Sequence, residues 1–247
     1  MGTKISVHEL VRADPASTSP RDQGPHLKLA IFAATGGIGR QLLQQAVAAN
    51  HDVTAVVRDP KALSAPVRVV GADLAAPDPA ALRRAVEGAD AVLSPLGPRS
   101  ASEAGIAARG TRAIVEAMKA TGVRRIVVVS AAPVATVPSP GRPRPPQHDP
   151  GDGFFMRHLL SPLIKALLPG NYADLALMED VLRESDLEWT VVRPPRLTDR
   201  PLSGRYRTAY GRNLRHGLVV SRADVAHLML SVLARPETVR QTIGIAL

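Results

Sequence analysis

The chain has 247 residues, of which 45% are hydrophobic, and this is enough for one α/β domain with a substantial buried core. It has no cysteine, which excludes disulfides, thiolate catalysis and cysteine-ligated metals. The formal net charge is +9, but only 3% of the residues are aromatic and arginine is spread along the whole chain, so we expect no nucleic-acid interface.

The remaining composition predicts a cytoplasmic protein without a membrane or metal partner. Residues 1–26 are polar and broken by proline, so they are interpreted as a disordered leader and not as a secretion signal. No stretch approaches the ~20 uninterrupted apolar residues that a membrane span needs. The seven histidines form no pair at metal-ligand spacing on one helix face.

Residues 27–247 alternate between short apolar runs and helical patterns. Buried strands are predicted at residues 29–34, 53–57, 67–70, 91–94, 125–129 and 188–193, with a late strand at 242–247. Helices are predicted at residues 40–49, 79–87, 106–121, 173–185 and 225–234, the last after a Ser221/Asp224 capping box. This alternation is typical of an α/β domain of the Rossmann type, a doubly wound parallel sheet with helices on both faces.

The residues AATGGIG at positions 33–39 join the first strand to the first helix. This turn brings Gly36, Gly37 and Gly39 to a helix start, where free N–H groups and the helix dipole favour a pyrophosphate. Ala33 replaces the glycine that usually eases the turn, so we expect binding to be weakened at most. Because a strand precedes the motif and a helix and a second strand follow it, the stretch predicts nucleotide binding.

The end of the second strand indicates which nucleotide is bound. Arg58 comes first past this strand and Arg40 follows the glycines, so both can pair with the 2′-phosphate of NADPH. Asp59 stands one place later than the acid that usually binds the ribose of NADH. Two further motifs are predicted to line the cofactor: GADL lays Asp73 and Leu74 along the adenine, and SPLGPR lines its middle through Ser94, Leu96, Gly97 and Arg99.

The chain resembles a known group of enzymes over residues 29–247. The motifs AATGGIG, VVRDP, GADL, RRIVVVSAA, VLRESDLEWTVVRPPRLTDRPLSG and SRADVAHLML occur in the order typical of the atypical short-chain dehydrogenase/reductases, the group that contains NmrA-like proteins and B-type biliverdin (flavin) reductases. The resemblance implies cofactor contacts from Thr35, Gly36, Gly37, Ile38, Gly39, Arg40, Arg58, Asp73, Leu74, Leu96, Gly97 and Ser130. It also implies that Pro194 and Pro195 form a wall near the nicotinamide.

The catalytic dyad of the wider superfamily, a tyrosine followed four residues later by a lysine, is missing. Tyr172 is followed at that spacing by Ala176, and Tyr206 and Tyr210 also lack a lysine there. Three interpretations stay open: water or the substrate supplies the proton, Ser130 is the catalytic donor, or the protein senses NADP without chemistry. Ser130 has the alternative role of ending a strand and capping a turn.

An insertion at about residues 133–171 distinguishes the chain from the common scaffold. Its apolar part predicts a helical lid over the substrate, with substrate contacts from Phe154, Phe155 and Leu159, and from Arg196 beyond the insertion. A dimerisation arm would be equally apolar, so a monomer and a homodimer both stay open.

Together these features predict an NADPH-dependent ketoreductase that acts on a bulky, aromatic, polyketide-like molecule. Its composition, missing dyad and lid resemble the atypical ketoreductases of antibiotic biosynthesis, such as those acting on simocyclinone-type angucyclinones. The alternatives are a flavin or biliverdin reductase, and an NmrA-like regulator that binds NADP without catalysis.

Overall fold

The computed structural model describes residues 26–97, 103–151 and 169–247. Its strands are β1 (Lys28–Phe32), β2 (Asp52–Val57), β3 (Arg68–Gly71), β4 (Ala91–Ser94), β5 (Arg125–Val129), β6 (Glu188–Arg193), β7 (Arg196–Thr198), β8 (Arg207–Tyr210), β9 (Val219–Ser221) and β10 (Gln241–Ala246). Its α-helices are α1 (Gly37–Ala48), α2 (Pro79–Val86), α3 (Ile106–Thr121), α4 (Pro169–Arg183) and α5 (Arg222–Ser231). The predicted leader, apart from residue 26, and the apolar part of the predicted lid lie outside the described residues.

Eight strands form the main sheet in the order β3-β2-β1-β4-β5-β6-β10-β8. All neighbours in it are parallel except β8, which pairs antiparallel with β10 at the edge. A separate pair, β7 and β9, is parallel. The strand order reverses between β1 and β4, and this reversal opens a crevice at the carboxyl ends of the strands. The predicted doubly wound Rossmann class is confirmed.

Helices cover both faces of the sheet, and each face has its own hydrophobic core. On one face α2, α3 and α4 pack over Ala30 and Phe32 of β1. On the other face α1 and α5 pack over Leu29 and Ile31 of the same strand. Every residue of β5 is buried. Buried parallel strands need apolar side chains on both faces, which explains why these strands appear in the sequence as continuous apolar runs.

The predicted strands and helices are found, with shifts at some ends. The first helix begins at Gly37, three residues before its predicted start, because helical geometry continues through the glycine motif. The fourth begins at Pro169, since proline is well tolerated in the first turn of a helix. Strands β7, β8 and β9 were not predicted, because they are short and β8 is largely exposed. The Ser221 hydroxyl caps α5 by accepting from Asp224 N at 2.9 Å, as predicted.

No helix in the described parts of the chain is long and apolar enough to cross a membrane.

The start of α3 is capped from another helix. Gly105 precedes α3 in the left-handed conformation, with φ of 84°, and offers no side chain to the helix. Instead Asp174 of α4, which is 3% exposed, accepts from Ala107 N and Ala108 N at 3.0 Å each. This carboxylate satisfies two helix N–H groups and faces the positive end of the helix dipole. It therefore fixes α4 against α3.

Replacing Asp174 by alanine should lower the free energy of unfolding by about 1–2 kcal/mol, because two buried N–H groups lose their acceptor. Urea denaturation monitored by circular dichroism measures this change. Glu184→Ala, which removes an exposed carboxylate just past the end of α4, is the control and should change stability by less than about 0.5 kcal/mol. Equal effects of the two substitutions would show that the contact between Asp174 and α3 contributes nothing specific.

Candidate functional site

A cleft of about 530 Å³ lies at the carboxyl ends of β1, β2 and β4, where the strand order reverses. It brings together most of the predicted cofactor residues. Those that line it are Thr35, Gly36, Gly37, Ile38, Arg40, Arg58, Asp73, Leu74, Leu96 and Gly97. Thr35 and Gly97, between which the chain forms three strands and two α-helices, therefore share one surface.

The glycine motif forms the floor of this cleft. Gly36 N donates to Ala33 O at 2.8 Å, which closes the turn, and Ala33 adopts a φ of 48° that side chains rarely occupy. Gly39 lies beneath the turn, where a Cβ would come within 2.1 Å of Ala33 O. No side chain caps α1, and its first turn holds no acidic residue. The N–H groups at this helix start thus face the cleft without a competing carboxylate on their own helix.

Arg58 and Glu103 form an ion pair on the wall of the cleft. Arg58 Nη1 lies 3.4 Å from Glu103 Oε1, and the Arg58 side chain is 58% exposed. Asp59, which stands one place later than the usual ribose-binding acid, accepts from Lys61 N at 3.0 Å and caps a short 3₁₀ helix. Arg40 is exposed and also lines the cleft. The end of β2 and the first turn of α1 therefore each present an arginine to a ligand.

Several predicted site residues do not line the cleft. Ser94 is buried at the end of β4, and its hydroxyl has no hydrogen-bond partner among the described residues. Pro194 is buried, Pro195 is half-buried and Arg196 is exposed at the start of β7. Arg99, Phe154, Phe155 and Leu159 lie outside the described residues. The roles of all these residues stay predictions.

The cleft also contains residues that were not singled out as cofactor contacts. These are Ala33, Val56, Val57, Ala72, Pro95, Glu103, Ile106, Leu197 and Arg222. Arg222 belongs to the recognised motif SRADVAHLML, so the motif was a signal for it. Leu197 belongs to the motif VLRESDLEWTVVRPPRLTDRPLSG and had the same signal. Glu103 lies in none of the recognised motifs, and only the fold brings it to the cleft.

Ser130 belongs to a buried charged network whose residues do not line the cleft. Its hydroxyl donates to Glu179 Oε1 at 2.7 Å. Arg193 Nε donates to the same carboxylate at 2.8 Å, and Arg183 pairs with its other oxygen. Glu179 is 1% exposed and Arg193 5%. Because β5 leads into Ser130, β6 ends at Arg193 and α4 carries the other two residues, the network joins three elements.

The protonation of Glu179 follows from this environment. Burial raises its pKa, but the charge and hydrogen bonds of Arg193, the hydroxyl of Ser130 and the charge of Arg183 outweigh this effect, so the pKa lies below its usual range. The carboxylate is therefore charged at neutral pH. A buried charge is tolerated only with such partners.

The neighbouring acid, Asp180, holds the first part of the insertion. Its carboxylate accepts from Ser139 Oγ at 3.0 Å and from Gly141 N at 2.9 Å, and it pairs with Arg183. Arg142 turns inward and donates to Val134 O at 2.6 Å. Burial, together with the nearby positive charge of Arg193, lowers the pKa of Arg142. The described part of the insertion is thus anchored to α4.

The end of the same segment is anchored to the loop after β8. Asp149, 4% exposed, accepts from Gly151 N and from Asn213 N at 2.8 Å each. A Cβ on Gly151 would come within 1.8 Å of Asn213 O, so only glycine fits there. Together with the contacts of Asp180, these contacts fix both ends of residues 133–151, the described part of the predicted insertion.

The cleft fits a dinucleotide. At its glycine floor no side chain caps the start of α1, and an uncapped helix start attracts an anion. Arg40, Arg58 and Arg222 add positive charge to the lining of the cleft. Fold and cleft together define a Rossmann-type dinucleotide-binding protein. Residues 33–236 match the NAD(P)H-binding family, and the chain belongs to this family. The atypical short-chain dehydrogenase/reductase group that the sequence motifs indicate stays a prediction within this family.

Known proteins with similar structures share this fold. A short-chain dehydrogenase/reductase (wide type) from Veillonella parvula DSM 2008, solved in complex with NADP, is 20% identical, with a TM-score of 0.70 over 90% of this chain and 95% of that one. ChuY, an anaerobilin reductase from Escherichia coli O157:H7, is 22% identical, with a TM-score of 0.69 over 89% of this chain and 96% of that one.

A similarity in sequence also exists. UPF0659 protein C216.03 from Schizosaccharomyces pombe is 30% identical over 121 residues, 49% of this chain and 45% of that protein. The match therefore spans less than half of that relative's length.

Substituting Glu179 by glutamine should lower the free energy of unfolding by about 3–5 kcal/mol, because it leaves two arginine charges without their buried counterion. The folded-state pKa of Glu179 is lowered, so its stabilisation is complete above the unfolded pKa of about 4.3 and is lost as the pH falls through the folded value. The melting temperature of the wild type should therefore fall as the pH drops below about 5. The melting temperature of E179Q should fall less steeply over the same pH range, because glutamine has no carboxylate to protonate.

Glu116→Gln provides the control, because its carboxylate is 66% exposed and pairs with Lys119 on the surface of α3. It should leave both the melting temperature and its pH dependence close to those of the wild type. Thermal melts between pH 3 and pH 7 compare the three proteins. If E179Q is as stable as E116Q, the buried network does not support the fold.

Proposed function

We propose that the protein is an NADPH-dependent reductase that transfers a hydride to the carbonyl of a bulky, aromatic, polyketide-like substrate, as a ketoreductase of antibiotic or other secondary-metabolite biosynthesis. The observation that carries the reductase part is the cleft at the strand reversal, with its glycine floor, uncapped helix start and arginines. Bound NADPH supplies the hydride. The chain's own residues bind and orient the cofactor and the substrate.

The choice of NADPH over NADH rests on charge at the end of β2 and in the first turn of α1. Arg58 and Arg40 line the cleft, whereas the carboxylate of Asp59 is engaged with Lys61 N. Glu103 balances Arg58 at 3.4 Å, but an ion pair this exposed contributes only about 0–1 kcal/mol. A 2′-phosphate is a stronger partner for a guanidinium, so NADPH would displace Glu103.

The proton is proposed to come from water or from the substrate. No lysine follows Tyr172 at the dyad spacing, and burial raises the pKa of this half-buried tyrosine, which makes its phenol a poorer acid. Ser130, the predicted catalytic residue, donates its hydroxyl proton to Glu179. Its oxygen keeps lone pairs for other contacts, so a role in holding a water or a substrate hydroxyl suits it better than a role as proton donor.

The substrate assignment rests on the sequence of the insertion. Its apolar residues, including Phe154, Phe155 and Leu159, lie outside the described residues, so the helical lid stays a prediction.

We further propose a cytoplasmic monomer or homodimer with a hydrophobic small-molecule substrate and no nucleic-acid or membrane partner. A flavin or biliverdin reductase is the second candidate, since the missing dyad and the likeness to ChuY favour it. An NADP-sensing regulator is the third, favoured by the missing dyad alone.

Arg58→Ala should weaken NADPH binding about ten- to a hundredfold and leave NADH nearly unchanged, because it removes a charge-assisted contact to the 2′-phosphate. Isothermal titration with both nucleotides measures the difference. The control is Arg84→Ala, which removes an exposed arginine on α2 outside the cleft and should change neither affinity.

Equal losses for NADPH and NADH in the Arg58 variant would contradict the assignment of the 2′-phosphate site. So would an unchanged NADPH affinity. A gain in NADPH affinity in Glu103→Gln would support it, since that substitution removes the carboxylate that competes for Arg58.

Turnover tests the function itself. Wild-type protein should oxidise NADPH in the presence of polycyclic aromatic ketones, and Tyr172→Phe should retain most of this turnover, because the proposed proton does not come from a phenol. Absorbance at the nicotinamide band follows the reaction, with flavin mononucleotide and biliverdin tested in parallel.

Each outcome separates the candidates. Turnover of flavin or biliverdin alone would favour the second candidate. Binding of NADPH without turnover of any acceptor would favour a regulator. A loss of ~10²-fold or more in Tyr172→Phe, with NADPH binding intact, would return a tyrosine to the mechanism.

A further inference from the structure

Arg222 is an arginine of the cleft that the predicted cofactor contacts did not include. We propose that Arg222 binds the pyrophosphate of the dinucleotide and that Asp199 holds its guanidinium in place until the nucleotide arrives. The proposal rests on the proposed function, because it requires that the cleft binds NADPH.

The first observation is the position of Arg222 over the glycine motif. It is the first residue of α5, and its side chain crosses Gly37, the first residue of α1. A Cβ on Gly37 would come within 2.6 Å of Arg222 Nε and 2.7 Å of its Cδ. The absence of a side chain at Gly37 therefore lets the guanidinium lie directly beside the helix N–H groups.

The second observation is electrostatic. The start of α1 carries a partial positive charge of about +0.5 and has no acidic side chain in its first turn. A guanidinium beside it adds a second positive group. Two positive groups at one point are unfavourable unless an anion lies between them, and a pyrophosphate would satisfy both.

Asp199 supplies the counterion in the structure. Arg222 Nη1 donates to Asp199 Oδ1 at 2.7 Å, but Asp199 is 88% exposed and Arg222 30% exposed. Exposed ion pairs contribute little to stability and exchange readily. A pyrophosphate bound by the helix start can therefore take over the guanidinium from Asp199.

A third observation explains why Arg222 and Asp199 stay together. Asp224, in the first turn of α5, accepts from Ser203 N at 2.9 Å and Gly204 N at 3.0 Å, and from Ser221 Oγ at 2.7 Å. It thus ties the loop that follows Asp199 to the start of α5. The arginine is presented by a rigid helix start and is not left to a flexible loop.

The experiment compares three ligands by isothermal titration: NADPH, NADH and adenosine 2′-monophosphate, which has the 2′-phosphate but no pyrophosphate. Arg222→Gln should weaken NADPH and NADH alike, by about tenfold or more, and leave adenosine 2′-monophosphate unchanged. Arg222→Lys should retain part of the affinity. Arg58→Ala is the matched control, because it should weaken NADPH and adenosine 2′-monophosphate and spare NADH.

Asp199→Asn gives a readout that a structural role of Arg222 would not produce. Removing the competing carboxylate should strengthen both dinucleotides, by about two- to fivefold, without changing adenosine 2′-monophosphate. Circular dichroism melts confirm that each variant is folded.

Three results would overturn the proposal. The first is unchanged dinucleotide affinity in Arg222→Gln, and the second is an equal loss for adenosine 2′-monophosphate, which would mean a general distortion of the cleft. The third is weaker dinucleotide binding in Asp199→Asn. If the wild type binds neither dinucleotide, the proposed function fails as well, whereas tight binding that ignores Arg222 overturns this inference alone.

Discussion

The junction of β5, β6 and α4 depends on the hydrogen bonds and ion pairs of the buried Glu179 carboxylate. Glu179 is 1% exposed, so its negative charge needs positive and hydrogen-bonding partners. Arg193, Arg183 and the hydroxyl of Ser130 provide them. These partners come from the ends of β5 and β6 and from α4. If one of these elements shifted, a charge would become exposed or lose its partner. The network therefore fixes the end of β6 and the start of the predicted insertion.

The two halves of the molecule are built by different forces. The cofactor half depends on the backbone: a turn closed by Gly36, a close approach at Gly39 and the N–H groups of α1. The other half depends on side-chain charges, which hold residues 133–151 through Asp180 and Asp149. Backbone geometry tolerates few residue types, whereas a charged anchor can be built in many ways. This contrast explains why the glycine motif could be predicted from the sequence and the contacts of residues 133–151 could not.

The same contrast sets how much could be predicted from the sequence. The central strands were predicted because burial on both faces requires continuous apolar runs, and the glycine motif because its conformation admits so few alternatives. Strands β7, β8 and β9 were missed, since short or exposed strands have no such requirement. The hydrogen bond of Ser130 to Glu179 and the crossing of Arg222 over Gly37 were also missed. Both join residues far apart in sequence, and no local pattern records such a contact.

The structure also gives the arginines of this basic chain distinct roles, and burial decides between them. Around Glu179 the ion pairs are buried, so breaking one leaves an isolated charge in a region of low dielectric, and they act as fixed supports. On the cleft, Arg58 and Arg222 pair with Glu103 and Asp199 in water, where a charged ligand can replace the carboxylate at little cost. Two exchangeable pairs on one cleft suit an anionic ligand with two separated charges. The proposed cofactor, a dinucleotide with a 2′-phosphate and a pyrophosphate, has this distribution of charge. A neutral substrate alone would offer no anionic partner to either arginine.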